Sequence, residues 1–219
     1  MKSFWQSVFF LPLLVLGMAA AAQAKQPDEV IRDAVTTLTQ RIEAERERMT
    51  RDPAYTRMVV TEELEELVDF RRITRLVMGE HFEAATREQR NAFLERFRNS
   101  LVQTYAAGVT MYSGEQINVL PLAEGDLRGN RARVQMEFIT GSGRVVPIAY
   151  TMFQNDDSWR VDNVIVNGLN LGRLFRAQFD QAMAQHNGSI DRVIASWSAE
   201  VEVEGKTPAE AVQEAADGA

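Results

Sequence analysis

The amino-acid sequence predicts an α+β domain, with N-terminal helices packed on a twisted antiparallel four-stranded sheet and C-terminal helices after it. Three observations carry this. Apolar residues recur at helical spacing from Val30 to Val109. After Ser113-Gly114 the period changes to two and stays so until Val166. The links between consecutive strand segments are too short for crossovers, so neighbouring strands run antiparallel, and helices segregated from strands form the α+β pattern.

The first 24 residues read as a secretory signal. Lys2 gives a positive start, VFFLPLLVLGMAA an apolar middle, and Ala22-Gln23-Ala24 the small residues that precede cleavage. A single domain is expected over 25–198, and a disordered acidic tail over 199–219, rich in Ala and Glu with little to bury. The expected compartment is outside the inner membrane, with no later segment apolar enough to span a bilayer.

Within the domain, Val30, Ile31, Ala34, Val35, Leu38 and Ile42 predict a helix from Pro27 to about Arg48. Asp52-Pro53 marks a boundary, because a residue before proline avoids helical dihedrals. A second helix is expected from Pro53 to Val68, with Met58, Val59, Leu64, Leu67 and Val68 inward. Phe70, Ile73, Leu76 and Val77 continue the pattern to a C-terminal cap at Gly79. Thr86-Arg87-Glu88-Gln89 has the form of a capping box and opens the longest helix, Arg87 to Tyr112. Its stripe contains Phe93, Leu94, Phe97, Leu101, Val102, Tyr105 and Val109.

Ile117, Val119 and Leu120 mark a first strand, and Ala132, Val134, Met136 and Phe138 a second. Thr140-Gly141-Ser142-Gly143 is a hairpin turn. Val146, Ile148, Tyr150 and Met152 mark a third strand, and Asn155-Asp156-Asp157-Ser158 a turn. Simple alternation over 159–166 sends Trp159, Val161, Asn163 and Ile165 to one face and Arg160, Asp162, Val164 and Val166 to the other, so both faces turn apolar toward the strand's end. Gly168 permits a reversal and Asn170 caps a helix from Leu171 to about His186, with Leu171, Leu174, Phe175 and Phe179 inward. A short helix over Ile190–Trp197 closes the domain.

Composition excludes several functions. The net charge of −7, or −8 once Lys2 leaves with the signal, comes without a basic block, which argues against nucleic acid. With no cysteine there is neither a disulfide framework nor a lipoprotein anchor. His81 and His186 lack partners at metal-ligand spacing, and no phosphate-binding, hydrolase or zinc-protease motif is present. The acidic pairs Glu62-Glu63, Glu65-Glu66 and Asp156-Asp157 read as solvated. No catalytic residue, metal or cofactor is expected.

The ordered pieces Trp159-Arg160-Val161, Gly168-Leu169-Asn170-Leu171 and Phe175-Arg176-Ala177-Gln178-Phe179 resemble a family signature. Asp69-Phe70, Val77-Met78-Gly79, Ala85 to Arg90 with Phe93 and Phe97, Tyr105-Ala106 and Tyr112-Ser113-Gly114 fall in the same order. Together they resemble the MlaC, or toluene-tolerance auxiliary subunit, family over about residues 28–196. Asn170 stands where that family often has serine, and either residue caps a helix. The resemblance implies a monomeric periplasmic carrier, not an enzyme, with bound phospholipid as its cargo. Its expected partners are an inner-membrane ABC transporter with its substrate-binding subunit and an outer-membrane lipoprotein–porin complex, the three together maintaining outer-membrane lipid asymmetry. It also implies an apolar cavity between sheet and helices that holds the acyl tails.

The candidate wall draws on Phe93, Phe97, Leu101 and Tyr105 from the long helix. Val134, Met136, Phe138, Val146, Ile148 and Tyr150 come from the sheet, and Val164, Val166, Leu169, Leu174 and Phe175 from the last strand and the helix after it, with about half of the set packing beneath the cavity. Two rivals stand beside this reading. A nuclear-transport-factor-like isomerase or dehydratase would need an acid or base, for which Asp162 and Tyr150 are the candidates, although pairing of Asp162 with Arg160 accounts for the former. A protein-binding adaptor would fill the same stripes as solid core.

Overall fold

The computed structural model describes residues 25–156 and 158–199. The signal-peptide reading and the tail from Glu200 onward lie outside them. Ala199 does not belong with the tail: it is 1% exposed and packs into a core of helices.

Helices precede strands, as periodicity requires. They are α1 (Pro27–Arg51), α2 (Pro53–Leu67), α3 (Phe70–Met78), α4 (His81–Ala84) and α5 (Arg87–Met111). The strands β1 (Gln116–Val119), β2 (Leu127–Arg128), β3 (Arg131–Ile139), β4 (Val145–Asn155), β5 (Ser158–Val166) and β6 (Leu169–Asn170) follow, then α6 (Leu171–Gln185) and α7 (Ile190–Ser196). Local chemistry sets the boundaries. The Asp52 carboxylate accepts from the N–H groups of Ala54 and Tyr55 at the head of α2. The capping box of α5 is reciprocal: Gln89 N–H donates to Thr86 Oγ1 at 3.2 Å, and Thr86 N–H to Gln89 Oε1 at 3.0 Å. Gly79 ends α3 with φ +54°.

The sheet is open, all antiparallel, in the order β1-β3-β4-β5-β6, with β2 also paired to β3. The four expected strands are β1, β3, β4 and β5. The additions, β2 and β6, are two residues each and leave no periodic signal. β6 folds back on β5 through Asn167 and Gly168, both at positive φ, a two-residue turn that matches the twist of the strands it joins.

Pairing corrects the predicted faces of β5. Thr151 lies opposite Asn163 but Met152 opposite Val161, which leaves Asp162 as an extra residue, a β-bulge. Alternation therefore skips one step. Trp159 and Val161 share a face with Val164 and Val166, and that face joins Val134, Met136 and Phe138 of β3 and Val146, Ile148 and Tyr150 of β4. One inner face is apolar; the outer carries Arg131, Arg133, Gln135 and Thr151. Two helical assignments also change. Met58 and Leu76, expected inward, are 46% and 47% exposed.

A domain of this length is expected to have one contiguous core. Here there are three. One unites Ile31 of α1 with Ala132, Val134, Met152, Trp159 and Val161 of the sheet. A second joins α1, α2 and α5 through Ile42, Met49, Val59, Val60, Val102, Ala106 and Val109. The third is helical and aromatic, with Phe93 and Phe97 of α5, Phe175 and Phe179 of α6, and Trp197. Its rings meet edge-on at 4.8 Å for Phe93–Phe179, 5.0 Å for Phe93–Trp197 and 5.2 Å for Phe97–Phe175. Two 25-residue helices, each about 37 Å long, tie the clusters together. α1 runs from the first to the second, and α5 from the second to the third.

Candidate functional site

The site lies where the three cores fail to meet. α1 packs on β1 and β3, while α2, α3 and α6 pack on β5. No helix backbone comes as close to β4, the middle strand, as these do, although its Met152 is buried in one core with Ile31 of α1. On the inner face of β4, Ile148 and Tyr150 are half-buried, and Tyr105 of α5 lies within electrostatic reach of Tyr150. Helices approach the sheet chiefly along β5, where the chain crosses it. Val68 forms a parallel bridge to Val161 and Asp69 N–H donates to Val161 O at 2.9 Å. Gly172 N–H donates to Asn163 Oδ1 at 2.9 Å, so the first turn of α6 is seated on the same strand.

The candidate wall residues divide in two. Phe93, Phe97 and Phe175 are built into the aromatic cluster, at 0%, 0% and 4% exposure. Val134, also fully buried, lies in the core beneath α1, and Met136 and Val146 are buried on the inner sheet face. Leu101, Phe138, Ile148, Tyr150, Val164, Val166, Leu169 and Leu174 are only half-buried, and Tyr105 is 47% exposed. Pairing brings Phe138, Ile148, Tyr150, Val164 and Val166 onto one continuous patch. Leu169 pairs with Val166 and, like Leu101 and Leu174, packs against the rim of the aromatic cluster. Val68 is a further half-buried residue that the predicted wall lacked. It touches both the sheet core and the helical core, and its one sequence signal is the break before Asp69-Phe70.

Tyr105 and Tyr150 bring α5 and the inner face of β4 near one another. Burial pushes both phenols up, and Tyr105 lies within electrostatic reach of Tyr150. For Tyr105, desolvation and a half-accessible surface conflict if the ring points at bulk solvent. They agree if it projects into a hollow surrounded by protein. Glu63, which adds to the rise at Tyr105, marks the direction of the α1–α2 edge, where Arg41 ties Glu62 at 2.9 Å and Glu63 at 3.4 Å.

Asp162 does not face the hollow. Its carboxylate, 3% exposed, accepts from Arg72 Nε at 2.7 Å, Thr151 Oγ1 at 2.8 Å and Arg131 Nη1 at 3.5 Å. Thr151 and Arg131 belong to the outer sheet face, where Arg72 also stacks on Phe153. The expected Arg160–Asp162 pair is not formed, and Arg160 donates instead to the Glu65 carbonyl at 2.9 Å. His81 lies 3.3 Å from Asp180, and His186 Nε2 is 3.1 Å from Ser196 Oγ. Among the described residues no cluster of His, Cys, Asp or Glu is arranged to hold a metal ion, and no helix is long and apolar enough to cross a membrane.

Helices over an open antiparallel sheet, with a half-buried apolar patch on the sheet's inner face, define an α+β domain. A family model described as MlaC protein matches residues 32–199, and the chain belongs to the MlaC family. It is 33% identical to the toluene tolerance protein ttg2D of Pseudomonas putida over 192 residues, 87% of this chain and 88% of that one. It is 24% identical to the intermembrane phospholipid transport system binding protein MlaC of Haemophilus influenzae over 174 residues, 78% of this chain and 80% of that one. A phospholipid-binding protein from Ralstonia solanacearum, solved in complex with a phospholipid, shares the fold with a TM-score of 0.70 at 20% identity, covering 78% of this chain and 94% of the other.

Proposed function

We propose that this protein is a periplasmic phospholipid carrier. It would pass glycerophospholipid between an outer-membrane lipoprotein–porin complex and an inner-membrane ABC transporter with its substrate-binding subunit, keeping the outer leaflet free of phospholipid. The observation that carries this is the inner face of β4. Ile148 and Tyr150, with Phe138, Val164 and Val166 beside them, form a continuous hydrocarbon wall whose side chains are only half-buried. Membership of the MlaC family, together with one relative that belongs to a phospholipid transport system and another solved with a phospholipid bound, supports the same reading.

The physics of such a site is burial of tails. Two acyl chains carry on the order of 30 methylenes, each worth about 0.8 kcal/mol on leaving water. The gross gain of roughly 24 kcal/mol approaches the ceiling of non-covalent affinity. Measured against a bilayer the gain largely cancels, since the tails already lie in hydrocarbon. Direction therefore comes from the partners and their energy source, and the carrier needs no reactive group. A base for the enzyme reading is hard to find in the same place, because Asp162 is tied to Arg72 on the opposite face of the sheet.

The test is denaturing extraction followed by mass spectrometry. The purified protein should release phospholipid in stoichiometric amount. Ile148→Arg or Phe138→Arg should lose most of it while remaining folded, and Gln135→Arg, on the exposed outer face, should keep it. Folded wild-type protein that releases no phospholipid overturns the proposal.

A further inference from the structure

Two of the wall residues named above carry a hydroxyl. Tyr150 stands on the inner face of β4 and Tyr105 on the facing side of α5. The Tyr150 hydroxyl has one weak acceptor, Met136 Sδ at 3.9 Å. Among the described residues the Tyr105 hydroxyl has no hydrogen-bond partner. Neither hydroxyl meets an oxygen acceptor, and the two stand within electrostatic reach of one another, so an acceptor brought by a ligand has two donors to meet. Both lie in surroundings that keep a phenol in its neutral form, so each offers an O–H donor and no charge.

A neutral donor in an apolar hollow calls for a neutral acceptor that enters with the hydrocarbon. In a diacyl glycerophospholipid the ester carbonyls meet this condition. They sit at the junction of tails and headgroup and are the only uncharged acceptors attached directly to the chains. A phosphate oxygen suits the site less well, since neither phenol brings a cation. Resting on the carrier reading, we infer that Tyr105 and Tyr150 hydrogen-bond the ester carbonyls of the bound lipid, and so set the depth of the tails and select ester-linked over ether-linked lipid.

The experiment loads the purified protein from vesicles holding equal amounts of dipalmitoyl phosphatidylethanolamine and its diether analogue, and reads the bound ratio by native mass spectrometry. The wild type should favour the diester roughly two- to tenfold for each hydrogen bond. Tyr105→Phe and Tyr150→Phe, which retain the rings, should each reduce the preference, and the double variant should load the two lipids equally. Equal loading of both lipids by the wild type, the result expected if phosphate were the acceptor, overturns the inference but leaves the carrier reading standing. Preference retained in the double variant also overturns it. A wild type that takes up neither lipid defeats both.

Discussion

Arg72 Nε on α3 meets the Asp162 carboxylate on β5 at 2.7 Å, joining residues ninety positions apart across the boundary between the helical layer and the sheet. Asp162 is the extra residue of the bulge, so the feature that keeps the apolar side chains of β5 on one face also delivers a carboxylate to the other. Thr151 and Arg131 complete its hydrogen bonding, and the Arg72 guanidinium lies 4.0 Å over the Phe153 ring.

Arg72→Ala should therefore destabilise the protein by about 3 kcal/mol, because a buried carboxylate loses its main partner. Urea denaturation would show this as a lower midpoint. Lipid content of the folded fraction should be unchanged, since the pair lies on the face away from the hollow. Lost lipid with unaltered stability would contradict this placement.

Core and wall should separate by truncation. Phe93, fully buried among aromatic rings, should cost about 3–5 kcal/mol as Phe93→Ala. Ile148, half-buried, should cost about 1–2 kcal/mol as Ile148→Ala in delipidated protein, because much of its surface is already uncovered. Equal losses would place Ile148 in solid packing instead.

Gly79 has φ +54°, and a Cβ built there would lie 2.9 Å from the Arg176 guanidinium. Gly79→Ala should cost about 1–2 kcal/mol from backbone conformation alone, plus the displacement of Arg176. Adding Arg176→Ala should recover the steric part only. A double-mutant cycle on thermal stability gives the coupling; strict additivity would show that Arg176 moves aside freely.

Tyr150 predicts a loss of stability at alkaline pH. Its ordinary pKa is 10.0, and burial raises the folded value above that. Above pH 10 the unfolded chain ionises at this residue while the folded chain keeps its proton, so the unfolded state binds fewer protons and stability falls as pH rises. The slope is about 1.4 kcal/mol per pH unit between the two values. Below pH 10 both states are protonated and the residue contributes no slope. Tyr150→Phe should flatten the alkaline limb of urea midpoints measured on either side of pH 10.

Much of this architecture was legible because its signals are local. The capping box at Thr86, the switch of period after Ser113-Gly114 and the turn at Gly168 each act within a few residues, and each stands where the sequence puts it. What escaped depends on distant partners. The bulge at Asp162 exists only in register with Thr151 and Met152, and without it the faces of β5 are assigned wrongly past that point. The stripe of α5 reads as one surface, yet Phe93 and Phe97 close against α6 and Trp197 while Leu101 and Tyr105 look onto open space. Both pairs fit the same helical stripe; the difference lies in what stands opposite. Met58 and Leu76 fit a helical period but are left about half exposed. The strands β2 and β6 and the one-turn α4 are too short to carry a period.

The division of the interior into three packed clusters has a consequence for loading and unloading. Each knot of side chains has fully buried members of its own, so on the carrier reading guest hydrocarbon would not stand in for a missing piece of the protein. α1 and α5 act as struts between the knots. Filling or draining such a vessel would leave every knot tied, separating the stability of the container from the traffic of its contents.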